Sequence, residues 1–319
     1  MYGKLLSPAK FGPWALTSHV VMPPLTRNRA EADWSPNDAA PEYYRQRNTA
    51  GLVICEATQV SPDASGYPRT PGIWNDKHTA KWHEVVDAIH AGGAKAVIQL
   101  WHCGRIAHPD NQPEGCFPMG PSAVQPGLPI YTDKAGDVVE NPVPREMTEA
   151  DILGVIESYR KACENAKSAG FDGVELHGAN GYLVDQFAST NSNLRTDQWG
   201  GSLANRLRFM EEVLKAMMTA YPKECVGVRL SPVGAYNGMH DSDPVATFSV
   251  AAHGLNRFGL AYLHVVEPLG AGTSGGRVTP VLKAVFRGPL VANGGYGAET
   301  GNAAVRRGHV EHPWATSRL

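Results

Sequence analysis

Seven short apolar runs, most of them separated by helix-patterned stretches, constrain the fold of this chain more than any other feature. The runs are 20–25 (VVMPPL), 51–60 (GLVICEATQV), 94–101 (AKAVIQLW), 173–179 (GVELHGA), 226–232 (VGVRLSP), 262–268 (YLHVVEP) and 289–294 (PLVANG). Their length and their β-branched and aliphatic content mark buried strands. Between them, over 77–91, 148–169, 203–221 and 277–286, apolar residues recur at three and four positions, the period of an amphipathic helix. Strand and helix in alternation predict repeated βα units around a parallel sheet.

Gly51, Gly92, Gly170, Gly259 and Gly308 each follow a helical stretch, where a left-handed residue best ends a helix before the next strand. A doubly wound open sheet would carry GxGxxG after its first strand. Here VVMPPL runs instead into TRNRA. The one such match, Gly270, Gly272 and Gly275, follows the sixth strand, and no acidic residue stands ~20 positions on as a dinucleotide fold needs. It reads as a substrate-side loop, and the pattern as a whole predicts a βα barrel in a single domain, 1–319.

Composition narrows the partners. Lys and Arg total 29 against 31 Asp and Glu, a net charge of −2, so the chain lacks the basic surface that nucleic-acid binding requires. Its five cysteines form no CxxC pair, which argues against a disulfide framework or a zinc knuckle. Pro8, Lys10, Gly12 and Pro13 interrupt any signal-peptide core, and no apolar run approaches the ~18 residues of a membrane helix. A cytoplasmic protein is expected, with neither membrane nor nucleic acid as partner. Residues 103–147 carry eight prolines and little periodicity. Such a stretch reads as a lid or binding loop, with a plain β-hairpin insertion as the alternative.

In a βα barrel the reactive groups lie at the C-terminal ends of the strands. The polar residues there are Thr26 and Arg27, Glu56 and Thr58, Gln99, Trp101 and His102, His177, Asn180 and Tyr182, and Arg229, with Gly294 and Gly295 after the seventh strand. Arg229 is the cation of a largely neutral set, and a buried guanidinium without an anionic partner costs several kcal/mol. Its own strand holds no carboxylate, so an anionic cofactor is a natural partner. His177 and Asn180, three apart in HGANGY, can donate to one oxygen and stabilise charge developing there. Tyr182 adds a phenolic proton with an unperturbed pKa of ~10. The histidines lack HxxxH or HExxH spacing, so no metal site is expected. A Schiff-base aldolase would need a lysine at a strand's C-terminal end, whereas Lys95 begins its strand.

MPPLTRNRA (22–30), SGYPRTPGIW (65–74), IQLWHCGR (98–105), HGANGYLVDQF (177–187), NLRTDQWGGS (193–202), NR (205–206) and GVRLSP (227–232) together resemble the Old Yellow Enzyme family of FMN-dependent ene-reductases. The resemblance runs in order from about residue 5 to 308, and it implies an α/β fold of the (β/α)8 TIM-barrel type. It also implies FMN as cofactor, NADPH or NADH as reductant, and an α,β-unsaturated carbonyl or nitro compound as substrate, in a monomer or homodimer. By resemblance Pro24, Leu25 and Thr26 lie along the flavin, Ala57 beside its ring, Gln99 at its pyrimidine side and Arg229 by N1 and O2. Gly294 and Gly295 resemble part of the phosphate site. His177 and Asn180 would hold the substrate carbonyl, Tyr182 would donate the proton, and Tyr67 and Trp101 would shape the substrate pocket. Isomerase-type members of such a family lose the tyrosine, and Tyr182 is present.

The resemblance breaks at RRGHVEHPWATSRL, where the family has an eighth strand ending in Gly-Arg. Residues 309–319 carry Pro313 and few β-branched residues, so the eighth βα unit is expected to be missing or degenerate. The alternative that follows is a pseudoenzyme or binding protein that holds FMN weakly or not at all.

Overall fold

The computed structural model describes residues 3–267, 278–306 and 310–311. A hairpin comes first, β1 (Ala9–Phe11) against β2 (Trp14–Leu16), turned at Gly12 with φ +55°. Then come β3 (Val21–Met22), β4 (Leu52–Gln59) and β5 (Lys95–Trp101). The long insertion holds β6 (Met119–Gly120), β7 (Pro129–Thr132), β8 (Asp137–Glu140) and β9 (Arg145–Glu146). The remaining strands are β10 (Gly173–Gly178), β11 (Val226–Leu230), β12 (Tyr262–Val266), β13 (Leu290–Asn293) and β14 (Val310–Glu311). Eight of them form one parallel sheet in the order β3-β4-β5-β10-β11-β12-β13-β14, an α/β barrel with all seven expected strands in sequence order.

The helices are α1 (Ala40–Arg45), α2 (Asp76–His90), α3 (Glu149–Ser168), α4 (Leu183–Ala188), α5 (Leu203–Ala220), α6 (Pro244–Leu255), α7 (Thr279–Val285) and α8 (Ala298–Arg306). The four marked by periodicity are α2, α3, α5 and α7. Their first turns show why they start where they do. Asn75 and Ser202 each accept a backbone N–H with the side chain, and Thr148 and Asp151 form a reciprocal capping box. Helix α6 escaped the sequence reading because PVATFSVAAHGL is apolar nearly all round and so shows no stripe.

Alternation along the strands separates two surfaces. One side, with Val53, Ile98, Val174, Leu176, Val228 and Leu263, packs against the helices in the main core. On the other, Leu52, Ile54, Val97, Tyr262 and Val291 join Phe11, Trp14 and Leu16 of the hairpin in a second apolar cluster near the strand starts. Above it the inward positions turn polar: Gln99, Glu175, Arg229, His264 and Asn293.

Several expectations need correction. Gly170 and Gly259 do adopt left-handed φ, +91° and +62°. Gly51 and Gly92 do not, and serve instead as points of close approach: a Cβ at Gly51 would lie 2.2 Å from the Ser18 carbonyl oxygen, and one at Gly92 would lie 2.2 Å from Asn48 Cγ. Gly93, at φ +85°, takes the left-handed role there. Gly308 and the Gly270, Gly272, Gly275 motif lie outside the described residues. The eighth unit, expected to be missing or degenerate, needs no correction: its strand is the two-residue β14, paired in parallel with Val291 and Ala292. No pairing of β14 with β3 is found among the described residues. The insertion carries an antiparallel hairpin, β7 with β8, and a parallel pair, β6 with β9.

Candidate active site

The polar layer of the barrel is tied together by one carboxylate that a search of strand ends alone missed. Glu175, fully buried on β10, accepts from Gln99 Nε2 at 2.7 Å through Oε1 and pairs with His264 Nδ1 at 2.9 Å through Oε2. Burial raises its pKa, but His264 and Arg229 outweigh burial and hold it below the ordinary carboxylate range. His264 is pushed below its usual pKa, chiefly by burial and by Arg229 against the opposing pull of Glu175. His264 Nδ1–H thus donates to the Glu175 carboxylate within a fully buried pair. The signal lay in the sequence: Glu175 stands two residues before His177 and shares its face of the strand.

Arg229, opposite His177 in the strand register, donates from Nη2 to Asn293 Oδ1 at 3.1 Å, while its buried Nε has no hydrogen-bond partner among the described residues. Glu175 on the neighbouring strand offsets part of that charge, although no carboxylate among the described residues stands within ion-pair distance of it. The anionic cofactor expected as a natural partner of this arginine would therefore share it with a protein carboxylate on the adjacent strand.

After β10 the chain makes a tight turn that presents three of the expected residues. Asn180 (φ +58°) and Gly181 (φ +77°) are both left-handed. Asn180 N–H donates to Ser231 Oγ at 2.7 Å, its carbonyl accepts from Asn237 Nδ2 at 2.8 Å, and Gly181 N–H donates to Asp185 Oδ2 at 2.8 Å. The Asn180 amide itself stays free for a ligand among the described residues. His177 Nδ1 accepts the Ala179 N–H at 3.3 Å, so the proton sits on Nε2. Burial, with Arg229 and His264, holds this histidine far below its usual pKa, and it is a neutral donor.

Tyr182 follows the turn. Its ring centroid is 4.7 Å from that of Trp101 and 4.9 Å from that of His177, and its hydroxyl is 3.2 Å from that of Tyr67. Burial, with smaller contributions from Tyr67 and Cys103, pushes the Tyr182 phenol well above its usual pKa. Ile130 of the insertion hairpin and Ala57 of β4 complete this cluster, with Val139 packed against it.

Pro24, Leu25, Thr26, Gln99, Trp101, His177, Asn180, Tyr182 and Arg229 line one cavity of about 280 Å³, joined by Tyr236, which the sequence reading missed. Tyr67 and Ala57 pack around that cavity without forming its lining. Gly294 (φ +128°) and Gly295 (φ +66°) stand apart from it, beyond Asn293 at the end of β13. His102 turns away: its Nδ1 accepts from Gly104 N–H, and its Nε2 lies 3.9 Å from Asp63. Glu56 and Arg27 line a separate cavity of about 200 Å³. A larger hollow of about 720 Å³ flanks β3 but includes only one charged residue, Arg47. No group of three or more candidate metal ligands exists among the described residues, and no described helix is long and apolar enough to cross a membrane.

The donor set suits the pyrimidine edge of a flavin such as FMN. Arg229 carries a buried, unpartnered Nε beside the cavity. Gln99, its Nε2 held by Glu175, leaves its oxygen as acceptor. Thr26 adds a hydroxyl, and Pro24 and Leu25 add an apolar wall.

Comparison with known proteins agrees. The model of the NADH:flavin oxidoreductase / NADH oxidase family matches residues 4–310. The 12-oxophytodienoate reductase 1 of Oryza sativa subsp. japonica is 42% identical over 314 residues, spanning 96% of this chain and 80% of that protein. The old yellow enzyme homologue from Zymomonas mobilis superposes with a TM-score of 0.93 at 36% identity, covering 98% of this chain and 88% of that one. Morphinone reductase in complex with tetrahydroNAD gives a TM-score of 0.90 at 41% identity, covering 95% and 84%. By sequence, fold and donor set, this chain belongs to the NADH:flavin oxidoreductase / NADH oxidase family, the FMN-dependent oxidoreductases that include the old yellow enzymes.

Proposed function

We propose that this chain uses NADPH or NADH to reduce the activated C=C bond of α,β-unsaturated carbonyl or nitro compounds. The observation that carries this reading is the convergence, on one cavity, of two neutral donors (His177 and Asn180), a protonated phenol (Tyr182) and a cation (Arg229). Bound FMN would supply a two-electron carrier that passes hydride from nicotinamide to the β-carbon of the substrate. Its binding would fall to Pro24, Leu25, Thr26, Ala57, Gln99 and Arg229, with Gly294 and Gly295 at the phosphate end.

His177 Nε2–H and the Asn180 amide donate to the substrate carbonyl and stabilise the negative charge that grows on it as the β-carbon accepts hydride. Tyr182, kept protonated by burial, delivers its proton to the α-carbon, and the Tyr67 hydroxyl 3.2 Å away is placed to share the resulting charge. Trp101 lines the cavity, and Tyr67 and Ile130 of the insertion hairpin pack beside it. Anaerobic reduction of the FMN-loaded protein by NADPH, followed by reoxidation with 2-cyclohexenone, tests the reading. Enone-dependent reoxidation with formation of the saturated ketone is expected, and a reduced protein unaffected by the enone overturns it.

A second reading is a binding protein that holds FMN weakly. It is favoured by the two-residue β14, which leaves the β3 edge without a strand partner among the described residues. Gel filtration with FMN separates the two: an oxidoreductase elutes with a flavin band, and the weak binder elutes without one.

A further inference from the structure

The geometry points to Glu175 as the residue that sets the electron affinity of this site: it offsets the Arg229 charge from beneath and locks the Gln99 amide with its oxygen toward the cavity. The inference rests on the flavin reading above and deepens it.

Glu175 occupies the centre of the polar layer, one strand from Gln99 on β5 and one strand from Arg229 on β11. Both carboxylate oxygens are spoken for, one by Gln99 Nε2 at 2.7 Å and the other by His264 Nδ1 at 2.9 Å. Neither reaches Arg229, whose Nε is unpartnered and whose Nη2 bonds only the neutral Asn293 among the described residues. A direct ion pair would have used up the guanidinium donors. The arrangement separates two functions: the N–H groups of Arg229 remain available to a ligand, while Glu175 cancels part of their field at a distance. In a fully buried layer such a charge is weakly screened.

The consequence concerns the reduced ligand more than the oxidised one. Two-electron reduction of a flavin at this site places negative charge near Arg229, so Glu175 opposes reduction by repulsion. Its second effect is directional. Because Gln99 Nε2 must donate to a carboxylate, which cannot donate in return, the amide cannot flip, and its oxygen faces the cavity as a fixed acceptor. Glu175 thus acts through other residues and is a positioning residue.

The test is the isosteric Glu175→Gln in the FMN-loaded full chain, read by spectroelectrochemical titration and by FMN titration of both redox states. Reduced FMN should gain at least tenfold in affinity relative to oxidised FMN, a positive shift of about 30 mV for a two-electron couple. A glutamate with only a structural role would lower thermal stability and flavin occupancy but leave the potential of the bound flavin where it was, and an unchanged or more negative potential overturns the inference. A wild-type chain that binds no FMN overturns the flavin reading and this inference with it. Should Glu175→Gln fail to fold, the exchange Gln99→Glu with Glu175→Gln keeps both the charge and the hydrogen bond. It moves the charge onto a residue that lines the cavity, and a shift of at least tenfold in the opposite sense is expected; an unchanged or more positive potential overturns the proposal.

Discussion

The hydroxyls of Tyr182 and Tyr67 lie 3.2 Å apart although 115 residues separate them in the chain. The contact joins the turn after β10 to the loop between β4 and α2, and it gives Tyr182 a polar neighbour in a pocket otherwise walled by Trp101 and His177.

Replacing Tyr182 with Phe should leave reduction by NAD(P)H within a few-fold of wild type and slow enone-dependent reoxidation by roughly 10²–10⁴, the usual weight of a positioned general acid. Hydride transfer from nicotinamide needs no phenolic proton, whereas the α-carbon does. Stopped-flow traces of the two half-reactions decide it: equal slowing of both removes Tyr182 from the role of proton donor.

The double variant His177→Ala with Asn180→Ala should bind a phenol-type ligand at least a hundredfold more weakly and lose the long-wavelength band such a ligand gives with bound flavin. Each hydrogen bond to a phenolate is charge-assisted and contributes ~1.5–3 kcal/mol. A spectral titration with phenol-type ligand that gives wild-type affinity would sink the pairing of these two donors.

Stability should fall as pH rises through neutrality. Burial pushes Asp185, which holds the Gly181 N–H, up to about 7, and it does the same to Glu56, which holds the Arg27 N–H. Both groups bind a proton more tightly folded than unfolded, so their contribution is complete below the unfolded carboxylate range and is lost as pH climbs through about 7. Each should add a slope of up to ~1.4 kcal/mol per pH unit between the two values. Urea unfolding of the wild type and of Asp185→Asn across pH 5–8 measures it. The variant should show the shallower slope; parallel slopes would mean that Asp185 is ionised throughout.

Gly66→Ala should destabilise the chain by ~1–3 kcal/mol, the usual cost of overpacking. A Cβ there would lie 2.2 Å from the Ile106 carbonyl oxygen and 2.7 Å from Cys103 Cβ, so Tyr67 and the loop after β5 must shift together. Thermal unfolding and the phenol titration should therefore both respond; a variant with wild-type melting would show that the loop yields at no cost.

The sequence by itself determined seven of the eight barrel strands, four of the helices and most of the cavity lining, because each was written in local terms. Runs such as VVMPPL and AKAVIQLW are short, apolar and β-branched, and HGANGY places a histidine, an asparagine and a tyrosine within six residues at a strand end. Only the tertiary structure decided the rest. Glu175 meets the hydrogen bonds of Gln99 and His264 and the charge of Arg229 from three other strands, a relation set by sheet register that no single segment contains. Gly51 and Gly92 are required for contacts with Ser18 and Asn48, not for their own φ, so a rule based on helix ends assigned them the wrong reason. The same holds for the insertion: its prolines announced a loop, but the packing of Ile130 and Val139 against the Trp101 and Tyr182 cluster depends on where β5 and β10 end in space. Local pattern fixes which side of a strand is buried; long-range register decides which buried charges meet.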